Sequence, residues 1–231
     1  TKPSHDILTG EEESDRMLVK DRMSAPAVTV TPDAVFRDAL RLMHGHGFRR
    51  LPVVDGGGRL VGIVSEGDLQ PASPSRAGSP SVWEQNYMLA HVKIRDTMTE
   101  EVITTTPNTP IEDVARLMID TRTGALPVVD EQDRVVGVVT ETDILKAFVE
   151  MFGGGHAGLR LTLQIPEGRD VLLELAQAIS GGGGTIVSVG SFGGDVRGEQ
   201  GLVVKVSGAS KDRLVDVLEA LNDHVVEARD L

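Results

Sequence analysis

The chain contains no cysteine. Disulfides, thiolate metal sites and a cysteine nucleophile are therefore excluded together, and a reducing, cytoplasmic setting suits it. Aromatic residues are scarce, 3% of 231 residues with one Trp and one Tyr, so any core must be aliphatic, built from Val, Leu, Ile and Ala. Basic charge is also short: 23 Lys and Arg against 35 Asp and Glu leave a net charge of −12. That sign is wrong for a nucleic-acid groove or an anionic membrane surface. No apolar run approaches the roughly 20 residues that span a bilayer. Residues 1–16 are polar and acidic, lack the apolar segment of a signal peptide, and read as a disordered leader or expression remnant ahead of Met17. Hydrophobic residues at 40% still suffice for ordinary globular cores.

What the chain has in plenty is self-similarity. Asp21-Arg22-Met23 to Gly67-Asp68-Leu69 align without a gap on Asp96-Thr97-Met98 to Thr142-Asp143-Ile144, at a constant offset of 75. Leu51-Pro52-Val53-Val54-Asp55 matches Leu126-Pro127-Val128-Val129-Asp130, and Gly62-Ile63-Val64-Ser65-Glu66-Gly67-Asp68 matches Gly137-Val138-Val139-Thr140-Glu141-Thr142-Asp143. A unit of roughly 50 residues is too small to bury much core alone. The two copies should stack about a pseudo-twofold axis and create a matched pair of clefts.

Each copy predicts strand, helix, strand, strand, helix. The first strands are expected at Ala27–Val30 and Val102–Thr105. Thr31 and Thr106 follow as N-caps, with Pro32 and Pro107 at the first helical position. Amphipathic helices carry Phe36, Ala39, Leu40 and Met43, then Ile111, Val114, Ala115 and Met118. Strands at Leu51–Val54 and Leu60–Val64, and at Leu126–Val129 and Val135–Val139, are joined by polar turns, and second helices open at Ser65 and Thr140. Pro71 to Pro80 has linker composition, and Ser81-Val82-Trp83-Glu84 reads as a capping box. The short helix it starts carries Trp83 and Tyr87 on one face, for docking onto a core or onto a partner.

Past Gly153-Gly154-Gly155 the pattern becomes βαββαβ, with strands at Leu159–Ile165, Thr185–Val189, Leu202–Val206 and Val225–Ala228 and helices at Asp170–Ile179 and Lys211–Leu221. That is a ferredoxin-like layout, two helices on one face of an antiparallel sheet. The other face is left for a second subunit. The domain boundaries follow: 17–69 for copy one, 70–92 for linker and short helix, 93–152 for copy two, 153–158 for a Gly-rich linker and 159–231 for the last domain.

Ser65 with Asp68 and Thr140 with Asp143 have two readings. One is a helix capping box, hydroxyl at the cap and acid three residues on. The other is a ligand site, because a hydroxyl at a helix start lies among free N–H groups that suit phosphate. A carboxylate one turn later can accept both hydroxyls of a ribose. Arg49 and Arg50 could supply the positive charge that a phosphate needs in an acidic protein. At offset 75 copy two offers Gly124 and Ala125 instead, so the clefts should differ. Gly181–Gly184 lacks the Lys-Ser/Thr of a P-loop, His44-Gly45-His46 lacks a metal-binding arrangement, and no Ser/His/Asp set forms a nucleophile elbow.

The Gly-hydrophobic-hydrophobic-Ser/Thr-x-x-Asp motif, with Leu-Pro-Val-Val-Asp ahead of it in both copies, resembles the CBS domain, and two in tandem resemble a Bateman module. Pro166-Glu167-Gly168-Arg169-Asp170-Val171-Leu172 and Thr185-Ile186-Val187-Ser188-Val189 make the last domain similar to an ACT domain. The order CBS, CBS, ACT-like resembles the acetoin utilisation protein B family. The fold class implied is α+β, a tandem CBS pair followed by a ferredoxin-like domain. The resemblance implies a non-catalytic homodimeric sensor, with no obligatory cofactor and no metal. Its regulatory ligand would be AMP, ADP or ATP, bound through the hydroxyl and acid positions above, with the adenine between apolar walls around Ala27, Val28, Val102 and Ile103, residues equally expected as ordinary core. It also implies an alternative, an amino acid or other small effector held by the ACT-like domain near Gly168 and Arg169, with the CBS pair as a dimerisation scaffold.

Overall fold

The computed structural model describes residues 17–69, 91–166, 168, 171–193, 198–220 and 224–231. The leader, the 71–80 linker, the Trp83–Tyr87 helix and Arg169 lie outside the described residues. The chain forms two compact units, Thr1–Leu145 and Lys146–Leu231. Among the described residues no helix is long and apolar enough to cross a membrane.

In the first unit a short helix α1 (Val19–Arg22) opens copy one. Apolar residues at one-turn spacing then make α2 (Phe36–His46), which buries Phe36, Ala39 and Met43. Copy two repeats this in α3 (Ile111–Thr121), with Ile111, Val114 and Met118. Both helices start after the positions that the Thr-Pro pairs suggested. Residues 31–34 and 106–109 instead form turns, closed by Ala34 N–H to Thr31 C=O at 3.1 Å and Thr109 N–H to Thr106 C=O at 3.2 Å. The carbonyls that would have opened each helix are taken from elsewhere. Pro32 and Ala34 accept the N–H groups of Arg95 and Ile94, while Pro107 and Thr109 accept those of Lys20 and Val19.

The hairpins are β1 (Arg50–Val54) with β2 (Leu60–Ser65), and β3 (Ala125–Val129) with β4 (Val135–Thr140), in matching antiparallel register. The strands expected at Ala27–Val30 and Val102–Thr105 shrink to single parallel bridges, Val30 with Val53 and Thr105 with Val128. Proline explains the truncation. Val30 bonds Pro52 C=O and Val54 N–H, and the next donor along β1 would be the N–H that Pro52 lacks. Pro127 stops the ladder in copy two in the same way.

Contacts between the copies are reciprocal at offset 75. Arg59 pairs with Arg134, its own equivalent, which marks the pseudo-twofold axis. On either side Leu60 N–H reaches Asp133 C=O at 3.0 Å and Val135 N–H reaches Gly58 C=O at 3.1 Å. The opening segments of the copies are exchanged. Ser24 bridges Val138 of copy two, and Thr99 bridges Ile63 of copy one. Ile94, at the start of copy two in the chain, is fully buried in the copy-one core with Phe36, Met43, Leu51 and Val64.

α4 (Glu141–Met151) opens at the end of β4. The second unit then contains β5 (Leu159–Pro166), α5 (Leu172–Gly181), β6 (Thr185–Gly193), β7 (Glu199–Ser207), α6 (Lys211–Ala220) and β8 (His224–Asp230). The strands form one antiparallel sheet in the order β6-β7-β5-β8. Alternation on β5 sends Leu159, Leu161, Leu163 and Ile165 to one face, where Leu175, Ile179, Leu214 and Leu218 of the two helices complete the core. The other face, expected to be bare, is partly covered from within the unit. The Phe152 ring lies over Gly190, and buried Lys205 donates from Nζ to Gly153 C=O at 2.8 Å.

Candidate functional site

The site residues stand where each hairpin ends. Val64 and Val139 point into their cores and are fully buried, so Ser65 and Thr140, the next residues on β2 and β4, turn to the opposite side. Glu66–Leu69 follows as a 3₁₀ turn in copy one, and α4 follows in copy two.

At the copy-one junction Asp68 Oδ2 accepts the Ser65 N–H at 2.5 Å, and Asp68 remains exposed. At the copy-two junction Asp143 Oδ2 accepts both the Thr140 N–H at 2.9 Å and its hydroxyl at 2.7 Å, while Asp143 N–H donates to Thr140 Oγ1 at 3.4 Å. Asp143 is only 8% exposed. A reciprocal capping box is thus complete in copy two and half-made in copy one.

The neighbours differ more. Arg50 stands directly across from Ser65, and Arg49 C=O accepts the Glu66 N–H at 3.3 Å. The Glu66 carboxylate is turned toward α2, with Oε1 3.1 Å from His44 Nε2. In copy two Ala125 stands across from Thr140, and Gly124 C=O accepts the Glu141 N–H at 3.1 Å. Here the glutamate folds over the bare glycine: a Cβ on Gly124 would stand 3.0 Å from Glu141 Cδ and Oε1. Chemically, junction one has two arginines at the strand start, a hydroxyl, the exposed Asp68 carboxylate and a Glu66 carboxylate turned to His44, a set able to hold an anion beside a diol. Junction two has the hydroxyl and two carboxylates, with glycine and alanine where the arginines stand in copy one.

The structure therefore brings Arg49, Arg50, Ser65 and Asp68 to one junction, and Thr140 and Asp143 to the other. Ala27 and Val28 are half-buried, with Val28 packed on the copy-one core; Val102 is half-buried and Ile103 is 40% exposed. Their segments bond β1 and β3 at Val53 and Val128, on the far side of Pro52 and Pro127 from the junctions. Gly168 is exposed in a turn with φ +81°. Sequence reasoning missed the His44–Glu66 pair and the Glu141–Gly124 contact. Aligning the copies does carry the signal, since Ile119 replaces His44 and Gly124 replaces Arg49.

A family model described as CBS domain matches residues 19–73 and 94–150. A CBS domain-containing protein of Dictyostelium discoideum is 32% identical over 136 residues, which cover 59% of this chain and 94% of that protein. This chain belongs to the CBS-domain family. The tandem CBS pair also matches protein MJ1225 of Methanocaldococcus jannaschii, at 35% identity over 138 residues; the chain spans 47% of that relative's length. Among solved structures the CBS pair is similar to CBSX2 of Arabidopsis thaliana, with TM-score 0.51 and 28% identity over 57% of this chain and 94% of that one. CBSX2 has also been solved in complex with AMP, a structure matched at TM-score 0.49 and 31% identity over 58% of this chain and 97% of that one.

Proposed function

We propose that the chain is a non-catalytic regulatory sensor that binds an adenosine nucleotide at the hairpin ends of its CBS pair. One observation carries this reading: a hydroxyl and an acid recur at the same strand end in two copies related by one pseudo-twofold, and two arginines flank one of them. Family membership supports adenosine as the recognised part, ribose on the acid and phosphate by the hydroxyl and Arg49–Arg50. Ligand occupancy acts by unequal affinity for two arrangements of the protein. α4 is suited to pass this on, because Asp143 lies in its first turn and its last turns belong to the second unit. We read that second unit as an ACT-like domain of ferredoxin-like type, and the protein as a cytoplasmic homodimer serving acetoin utilisation. The βαββαβ element order and the strand order of that unit support its ferredoxin-like, ACT-like reading.

Calorimetric titration with AMP, ADP and ATP tests the proposal. At least one nucleotide binds the wild-type protein, and replacing the acid of the junction it occupies, by Asp68→Ala or Asp143→Ala, weakens it by about 1.5–3 kcal/mol, the worth of a hydrogen bond to a charged group. Unchanged affinity when both are replaced leaves these acids a capping role alone.

A further inference from the structure

We infer that the two junctions take ligands of different charge: junction one an adenosine nucleotide through its phosphate, junction two only an adenosine compound without negative charge. This inference rests on the nucleotide-binding reading above and refines it. The two copies serve as each other's control, because hairpin register and the bond from the acid to the strand-end N–H coincide at offset 75, although a 3₁₀ turn follows Ser65 where a helix follows Thr140. What differs is the ring of side chains around that pair. In copy one the Glu66 carboxylate is drawn to His44 on α2, and Arg49 and Arg50 line the strand start. In copy two the residue in the place of His44 is Ile119, 77% exposed, which offers a carboxylate no partner. Because Gly124 and Ala125 replace the arginines, Glu141 is free of steric hindrance and rests against Gly124.

Junction two thus sets the Glu141 carboxylate beside Thr140, at the place that Arg49 takes in copy one. A phosphate entering there meets like charge, and repulsion of the wrong ligand discriminates as effectively as attraction of the right one. A nucleoside's ribose and base carry no such penalty.

Calorimetry with AMP and adenosine on the full chain separates the outcomes. Wild-type protein binds one AMP per chain. Arg49→Ala/Arg50→Ala weakens AMP at least tenfold and leaves adenosine binding at junction two in place. Gly124→Arg/Glu141→Gln gains a second AMP equivalent. The atoms that a side chain introduced at Gly124 would meet are the far end of the flexible Glu141. Should that pair of changes unfold the protein, Glu141→Gln alone must still raise AMP affinity at the second site. Two equal AMP sites in the wild type, or no gain in AMP affinity in either variant, overturns the inference while the nucleotide reading stands. Absence of binding by both AMP and adenosine overturns that reading itself.

Discussion

Gly62 and Gly137 lack side chains because the exchanged segments need the space. A Cβ on Gly62 would stand 2.8 Å from Met98 Sδ and 3.0 Å from Thr99 C=O; on Gly137 it would stand 2.5 Å from Met23 Sδ and 3.1 Å from Ser24 C=O. Methionine could yield, but the backbone oxygens are fixed by the bridges Thr99–Ile63 and Ser24–Val138. Gly62→Ala and Gly137→Ala should each lower stability by about 1–3 kcal/mol, the cost of overpacking, as read by urea denaturation. The hairpin turns make a second residue-scale prediction. Asp55 is held below its ordinary value of 3.8 by the backbone N–H groups of Arg59 and Gly57. Asp130 is held below it chiefly by the Arg134 N–H, with Gln132 N–H and the Arg134 side chain adding to the effect. A carboxylate with a depressed folded pKa stabilises fully above the unfolded value, and that contribution fades as pH falls through the folded one. The stability gap between wild type and Asp55→Ala/Asp130→Ala should therefore narrow as pH drops below 3.8, whereas a gap constant with pH contradicts the assignment.

Element by element, the sequence is legible wherever period and burial agree. The alternation of Leu159, Leu161, Leu163 and Ile165 and the one-turn spacing of Phe36, Ala39 and Met43 each leave a single face to bury, and each became the element foreseen. Local signals failed where a distant segment competes for the backbone. Thr31-Pro32 and Thr106-Pro107 look like helix starts, yet their carbonyls bond the exchanged opening segments, a pairing that no local pattern encodes. The shortened first strands were readable in principle, since Pro52 and Pro127 stand one position from the observed bridges. The exchange has a testable signature. Ile94→Ala removes a fully buried side chain from the copy-one core and should cost about 2–5 kcal/mol. Hydrogen exchange should accelerate in residues 36–65 more than in 111–140, and the reverse pattern contradicts the exchange of opening segments.

At the scale of the whole molecule, the offset of 75 disclosed most of the architecture, because a repeat constrains partner, axis and register together. The candidate site was legible as residue types and spacing: Ser65 and Asp68 do meet, as do Thr140 and Asp143. The unlike surroundings of the two junctions were legible only in part. The substitution of Gly124 for Arg49 is visible in the alignment, but the fold of Glu141 onto that glycine depends on side-chain conformation. Nor could spacing tell a capping acid from a ligand-binding one, since a single carboxylate oxygen satisfies the first role and leaves the residue in place for the second. The direct discriminator is a calorimetric titration of AMP into wild-type protein and into the variant lacking both Asp68 and Asp143 carboxylates, with thermal melting to verify folding. The account predicts binding to the wild type and a loss of at least tenfold in the folded variant; equal affinities in the two proteins contradict it.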